Sequence, residues 1–430
     1  MALVVEVISD EIVKPSSPTA DGLRHRLSFL DQLTPSHYNQ LVYFYPKIFE
    51  TEADKIEISD RLKCSIFDAF VYFYPLAGGM TADQLFVECN NEGISFVEVR
   101  LKFQLSDVLN NPVPRELNKL LPFEIHGANE FFVGIQFNVF DCGGLAVCIS
   151  HKAGDALSFF SFVKTWAAIA RGETELITPD SESASLFPPP DLSAIKPITS
   201  QPKTEQIITK RFATRVEALS AFIWERFVTA MVARSKLDTA FTITHLVNIR
   251  PRIEPPFPES SFGKLYSRAM SIPSTDGNIV TQIRDSIKAV NNEYVEKLRD
   301  GYNHLDKFTE METRHSEGQI VPFTVTSLRR FPRYEADFGR GKPLWAGSGD
   351  VGIKNLAIFM DDVNVARVGS YGRAPSSVWS MAFIAIDGMA LGLVSNGDPS
   401  EATVGSLEIA EAAPHGCPRV SYPRVFIWKH

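Results

Sequence analysis

Apolar and polar positions follow two different rhythms along this chain, and the change from one to the other is its first structural signal. Phe131 to Phe140 (FFVGIQFNVF) is apolar almost throughout and reads as a largely buried strand. Asp141 to Gly144 reads as a turn, and Leu145 to Ser150 as a second strand. Helical spacing then takes over, with Ala156, Phe159, Phe160, Val163, Ala167 and Ala170 on one face until Gly172 stops the run. Upstream, the pattern predicts an early strand over Val4 to Ile8, a helix around Ile58 to Phe73, and strand and turn signals from Leu85 to Glu98. Phe73 to Gly79 reads as a helix end running into a packed corner, since Pro75 disfavours continuation and Gly78-Gly79 permit positive backbone angles.

From Thr174 to Pro202 the chain turns rich in Ser, Pro and Asp, with Pro188 to Pro190 at its centre, and reads as an exposed crossover linker. Beyond it, Gln206 to Phe212 reads as a short strand. Thr214 with Glu217 forms a capping-box signature for an amphipathic helix carrying Val216, Leu219, Ile223 and Phe227. A chain of 430 residues exceeds what one hydrophobic core usually holds, so two mixed α/β (α+β) domains are expected. The boundaries fall at 1–173 for the first, 174–205 for the crossover and 206–430 for the second. Internal repeats are not evident.

Composition narrows the function classes. With 44% hydrophobic and 22% charged residues the chain is an ordinary globular one. A net charge of -8 and a pI near 5.7 argue against nucleic acid or an anionic membrane as the main partner. No apolar run reaches membrane-span length, and the start MALVVEVISDEIVKP lacks the pattern of a signal peptide. Five cysteines, an odd number, do not read as a disulfide framework, and there is no N-glycosylation sequon, so the cytosol is the expected compartment. Cys142, Cys148 and His151 have no second compact ligand pair, so no metal is expected. Gly347 to Gly352 matches G-x-G-x-x-G by letter, but a Gly- and Pro-rich loop precedes it where a strand is required, so no dinucleotide follows.

The candidate chemistry sits where strand gives way to helix. In Cys148-Ile-Ser-His-Lys-Ala-Gly-Asp155 the chain changes direction at His151, and Asp155 falls in the first turn of the apolar helix, where free N-H groups favour an anion. A histidine acting as a base needs one ring nitrogen held while the other takes a proton. Asp155 either supplies that hold or braces the turn by meeting an arginine from elsewhere. A capped helix preceded by a satisfied core histidine is the plain structural reading, and spacing alone does not overturn it.

The company these residues keep decides the matter. Ser28-Phe-Leu-Asp31-Gln32, Phe73-Tyr-Pro-Leu-Ala-Gly78, the His151 to Asp155 motif, Val247-Asn-Ile-Arg-Pro-Arg252, Ser261-Phe-Gly263 and Tyr334-Glu-Ala-Asp-Phe-Gly-Arg-Gly-Lys-Pro343 occur in an order and spacing that resembles the BAHD family of plant acyl-CoA-dependent acyltransferases. The resemblance runs from about Val4 to about Asp361 and is strongest to the vinorine-synthase-like branch, whose members typically acetylate alkaloid or terpenoid alcohols. It implies two chloramphenicol-acetyltransferase-like domains with the active-site channel between them. It also implies His151 as general base and Arg250 as the partner of Asp155, which favours the bracing reading of that aspartate. Asp337, Gly339 and Gly341 correspond to a structural loop near the active site. Thr326 and Ser327 are candidates for contacts with the oxyanion or the coenzyme A arm, or are ordinary strand residues. No cofactor is bound on this reading: acyl-CoA, with acetyl as the acyl group, is the co-substrate, a small-molecule alcohol is the partner, and a monomer is expected. The absence of a G-x-S-x-G elbow agrees with direct transfer.

Three departures from the family pattern stand out. Arg340 replaces the family's tryptophan in Asp337-Phe-Gly-Arg-Gly341, which costs about 3 to 5 kcal/mol if the site is fully buried, or else lets the guanidinium reach out toward an anionic phosphate. The strand ending at Phe212 runs almost directly into Thr214, leaving a shortened crossover. From about Asp362 the tail is atypical and reads as the product of a shifted reading frame or a misjoined exon. Together these raise the alternative of a catalytically impaired relative that binds coenzyme A or a metabolite without turnover. A thioester hydrolase using His151 to activate water is a third possibility.

Overall fold

The computed structural model describes residues 4–17, 19–33, 37–45, 49–102, 105, 114–124, 131–140, 144–181, 183–189, 214–232, 239–273, 277–299, 310–311, 313–351, 353–362, 379–386 and 389–393. Among the described residues two six-stranded sheets dominate. In the first, β1 (Val5–Val13), β6 (Ile94–Leu101), β7 (Val133–Val139), β8 (Gly144–Ser150), β3 (Tyr38–Phe44) and β12 (Trp345–Gly347) lie side by side in that order. In the second the order is β10 (Tyr266–Ser271), β9 (Ala240–Asn248), β11 (Ile320–Ser327), β13 (Leu356–Asp362), β14 (Trp379–Ile386) and β15 (Met389–Leu393). Each sheet mixes parallel and antiparallel pairs, β6 with β7 in the first and β11 with β9 and β13 in the second being parallel. A small third sheet joins β2 (Arg24–Arg26), β5 (Phe86–Glu88) and β4 (Gly79–Met80).

The unbroken apolar run over β7 and β8 has its reason in this order. Both strands are central and every residue in them is buried, so neither face alternates with solvent. Their polar exceptions are satisfied: Gln136 Nε2 donates to Asn138 Oδ1 at 2.8 Å and Asn138 Nδ2 to the Leu120 carbonyl at 3.1 Å. Against the sheet lie the Glu52–Tyr72 and Ala156–Ala170 helices, held by Phe70 stacked on Phe162 and by Trp166 Nε1 donating to Ser65 Oγ at 2.9 Å.

The first long helix begins earlier than periodicity predicts, because Thr51 caps it and Asp54 returns the capping bond. Phe73 to Gly79 does form a corner, a tight turn over Tyr74–Ala77, but Gly78 leaves it extended at φ -102 and neither glycine takes a positive angle. Thr214 and Glu217 form their box as expected, with Glu217 Oε2 accepting from the Thr214 N-H at 2.8 Å and Thr214 Oγ1 from the Glu217 N-H at 3.2 Å. The Gln206 to Phe212 strand, Cys142 and most of the crossover lie outside the described residues.

Sequence order and packing part company at β12. β12 leaves the second half of the chain to pair antiparallel with β3 of the first sheet, Trp345 opposite Phe44. In the other sheet β14 and β15 come from beyond Asp362 and follow β13 in sequence order, each pairing antiparallel with the strand before it. Among the described residues no helix is long and apolar enough to cross a membrane.

Candidate active site

His151 leaves the end of β8 in a turn. Its N-H donates to the His37 carbonyl at 2.7 Å, and the Ala153 N-H closes the turn on the Ser150 carbonyl at 3.0 Å. The imidazole is 9% exposed and its ring sits 4.5 Å from that of His37, edge to face. His151 Nδ1 lies 3.1 Å from the Gly154 carbonyl oxygen. A carbonyl only accepts, so Nδ1 carries the hydrogen and Nε2 is left with its lone pair. Burial, and after it the positive charge of Lys264 and the neighbouring His37, hold the ring's pKa well below its ordinary value. The arrangement is a neutral base oriented by backbone.

Asp155 does not touch His151 in this arrangement; its oxygens are occupied elsewhere. It caps the Ala156–Ala170 helix, with Oδ1 accepting from the Ser158 N-H at 2.9 Å and from Ser158 Oγ at 3.0 Å. Arg250, which is 1% exposed, reaches it with Nη1 to Oδ2 at 2.7 Å and Nη2 to Oδ1 at 3.1 Å, a bidentate pair across the two halves of the chain. The Leu265 N-H adds a further bond to Oδ2 at 3.1 Å. Burial pushes the carboxyl's pKa up, but the guanidinium and these donors outweigh it and hold the group below its ordinary value. Of the two alternatives for Asp155, the geometry matches the brace. Arg250 is itself fixed by Nε and Nη2 donating to the Ser261 carbonyl at 3.1 and 2.8 Å.

Sequence reasoning missed a second carboxylate with the same task. Asp31 Oδ2 accepts from Ser28 N-H at 2.8 Å and Ser28 Oγ at 2.6 Å, while Oδ1 accepts from the Lys264 N-H at 3.0 Å. Two helix-capping aspartates of the first half thus grip successive N-H groups, Lys264 and Leu265, of the second. Just before them Gly263 runs at φ 119, and a Cβ there would fall 2.6 Å from Ser183 Oγ, so both conformation and space demand glycine. The Ser28-to-Asp31 spacing was a capping signal available in the sequence. Its distant partner was not.

Asp337 holds a tight loop, Oδ1 accepting from Gly339 N-H at 2.9 Å and Gly341 N-H at 3.0 Å, with both glycines at positive φ. Its carbonyl accepts from Arg171, and Tyr45 OH donates to the Ala336 carbonyl at 2.8 Å. The buried anchor of this loop is Phe338, packed 4.6 Å from the ring of Trp166. Arg340 points outward, its side chain 40% exposed with Nη2 3.9 Å from Glu57 Oε1. The condition for a large packing loss, full burial at 340, is therefore not met. Thr326 and Ser327 are half-buried at the end of β11, with the Leu328 N-H that follows donating to the Phe359 carbonyl at 2.8 Å. Cys148 is buried, its thiol pushed up by desolvation, and among the described residues no three His, Cys, Asp or Glu side chains cluster as a metal site.

The chain matches the family model described as Transferase family over residues 3–212 and again over 192–369. It is 32% identical over 402 residues to stemmadenine O-acetyltransferase of Catharanthus roseus, covering 85% of this chain and 92% of that one. It is 34% identical over 396 residues to a limonoid 21-O-acetyltransferase of Melia azedarach, covering 83% and 90%. The crystal structure of vinorine synthase superimposes with a TM-score of 0.69 at 28% identity, over 83% of this chain and 92% of that one. TRI101 of F. sporotrichioides, solved with coenzyme A and T-2, shares the fold at a TM-score of 0.56 and 15% identity, over 78% and 91%.

Proposed function

We propose, from the premise that the chain belongs to the Transferase (BAHD) family and is an acyltransferase, that it moves an acyl group, acetyl in the first instance, from acyl-CoA to a hydroxyl of an alkaloid, terpenoid or related specialised metabolite. His151 is the general base. The observation that carries this role is the bond from Nδ1 to the Gly154 carbonyl, which leaves Nε2 as the free, unprotonated nitrogen of a buried neutral ring.

In the first step Nε2 takes the proton of the acceptor hydroxyl as that oxygen bonds to the thioester carbonyl carbon. The tetrahedral oxyanion then collapses, the carbon-sulfur bond breaks, and the thiolate recovers the proton from the imidazolium. Thr326 and Ser327 are the candidates to donate to the oxyanion or to the coenzyme A arm. Asp155 and Arg250 serve by fixing the turn that aims the histidine, and no covalent enzyme intermediate is required. The names of relatives that acetylate alkaloid and limonoid hydroxyls support the substrate class, and coenzyme A in the TRI101 structure supports the co-substrate.

The test is thiol release from acetyl-CoA by the purified protein, with and without a mixed library of plant alcohols, beside His151→Ala. Release that depends on the acceptor should fall by about 10²- to 10⁴-fold in the variant. Equal, negligible release from both proteins would count for a non-catalytic relative, and release without acceptor for a hydrolase. The pH profile gives a second check. A base whose folded pKa is depressed stays competent as pH falls through its ordinary value of 6.5, so the acid limb of the rate should lie below that point. A rate halved near 6.5 by protonation of His151 speaks against the buried neutral ring.

A further inference from the structure

Lys264 stands in the segment that the two capping aspartates grip, and neither the fold nor the proposed reaction has yet used its side chain. It is 1% exposed, and its Nζ meets no hydrogen-bond partner. The amine lies 5.5 Å from the centroid of the Tyr266 ring, and the imidazole of His151 lies 5.9 Å from that same ring. An ammonium has three donors and is among the costliest groups to bury unpaired.

The nearby carboxylates do not supply the missing partner. Asp31 is committed to Ser28 and to the backbone N-H of Lys264, and Asp155 to Arg250, Ser158 and the Leu265 N-H. Those same bonds fix the backbone on both sides of the lysine, with Gly263 N-H also donating to Ser158 Oγ at 3.1 Å. A donor held this firmly, against the same Tyr266 ring as His151 and with no hydrogen-bond partner among the described residues, is preorganised for something that arrives.

We propose that Lys264 Nζ is a ligand-facing donor beside His151 that takes a negatively charged oxygen of the bound substrates, either a carboxylate carried by the acceptor alcohol or the oxyanion formed when the hydroxyl attacks the thioester. This rests on the acyl-transfer reading of the same site. Burial drives the amine's pKa well down; Asp31 and Asp155 oppose that drop, while Arg268 and Lys152 add to it. Lys152 is not a substitute, because its Nζ is taken by Gln84 Oε1 at 3.0 Å.

The experiment uses benzoate as the probe anion, with calorimetric binding to the wild-type chain and to Lys264→Met. A charge-assisted bond predicts binding weakened by about 10-fold or more in the variant. Thermal unfolding should show Lys264→Met at least as stable as wild type, since a buried polar donor without a partner has been replaced by an apolar chain of similar length; Lys264→Gln serves if the methionine variant does not fold. Benzoate binding equally to both proteins, or to neither, overturns the proposal.

Turnover separates the two sources of the anion. If mandelate is preferred over 1-phenylethanol in kcat/KM and the ratio collapses in the variant, the anion is the acceptor's carboxylate. If kcat falls alike on both alcohols with KM unchanged, it is the oxyanion. Turnover of neither alcohol by the wild type bears on the acyl-transfer reading, while the benzoate result still decides the role of Lys264.

Discussion

Two aspartates hold glycine-containing turns in this molecule, and they work in opposite surroundings. Asp155 is 5% exposed and its oxygens are shared among a helix N-terminus, a serine hydroxyl, the Leu265 N-H just before β10 and a bidentate guanidinium. Asp337 is half-exposed and gives one oxygen to the N-H groups of Gly339 and Gly341. By letter each is an acid in a family motif. Physically, the first is a buried charge that exists only because Arg250 meets it, while the second is a turn staple that water can partly replace. The difference teaches that a motif's weight lies in how much else depends on its desolvated groups. Asp155 joins the two halves of the chain; Asp337 shapes one loop.

The largest expected effect comes from breaking the buried pair on one side. Arg250→Met leaves Asp155 buried and ionised without its countercharge, and urea denaturation should show a loss of about 3 to 5 kcal/mol. The double variant Arg250→Met with Asp155→Asn should recover part of that loss, because the stranded charge is gone. A single variant as stable as wild type would mean the pair is not a clamp. Activity should fall in both, since the Ser261 carbonyl loses the guanidinium that positions it.

That clamp also marks the limit of what the chain discloses before it folds. The apolar runs over β7 and β8, the helix after Asp155, and the capping box at Thr214 were legible because each is set by neighbours in sequence. Arg250 was reachable through its motif, 95 residues from Asp155. Lys264 and Asp31 were not reachable as a pair, because the bond between them spans 233 residues and neither letter advertises the other. His37 escaped for a different reason, since it meets His151 through a backbone carbonyl that any residue possesses. The return of β12 to the first sheet is equally silent, because three residues of strand carry no periodicity.

A middle-sized effect should follow from Asp337→Ala. Two N-H groups at the loop surface lose a carboxylate acceptor that water can partly replace, so about 1 kcal/mol is expected in chemical denaturation. The Phe338 anchor against Trp166 should keep the loop docked. A loss as large as that of Arg250→Met would place Asp337 in the same class as Asp155 and erase the contrast drawn between them.

The smallest effect belongs to Arg340, and it sharpens the comparison most. If the loop needed a large buried aromatic at this position, any small residue there would be costly. The structure instead has a side chain 40% exposed whose nearest carboxylate, on Glu57, lies 3.9 Å away, while Arg61 already pairs with that same glutamate. An exposed, shared ion pair of that length contributes between nothing and about 1 kcal/mol. Arg340→Ala should therefore unfold within about 0.5 kcal/mol of wild type. The same variant tests the phosphate alternative, since an arginine that met coenzyme A would show its removal as a raised KM for acetyl-CoA with kcat unchanged. An unchanged KM would leave Arg340 a surface residue, and would show that this loop is held from beneath by Phe338 and Asp337 whatever side chain stands at its tip.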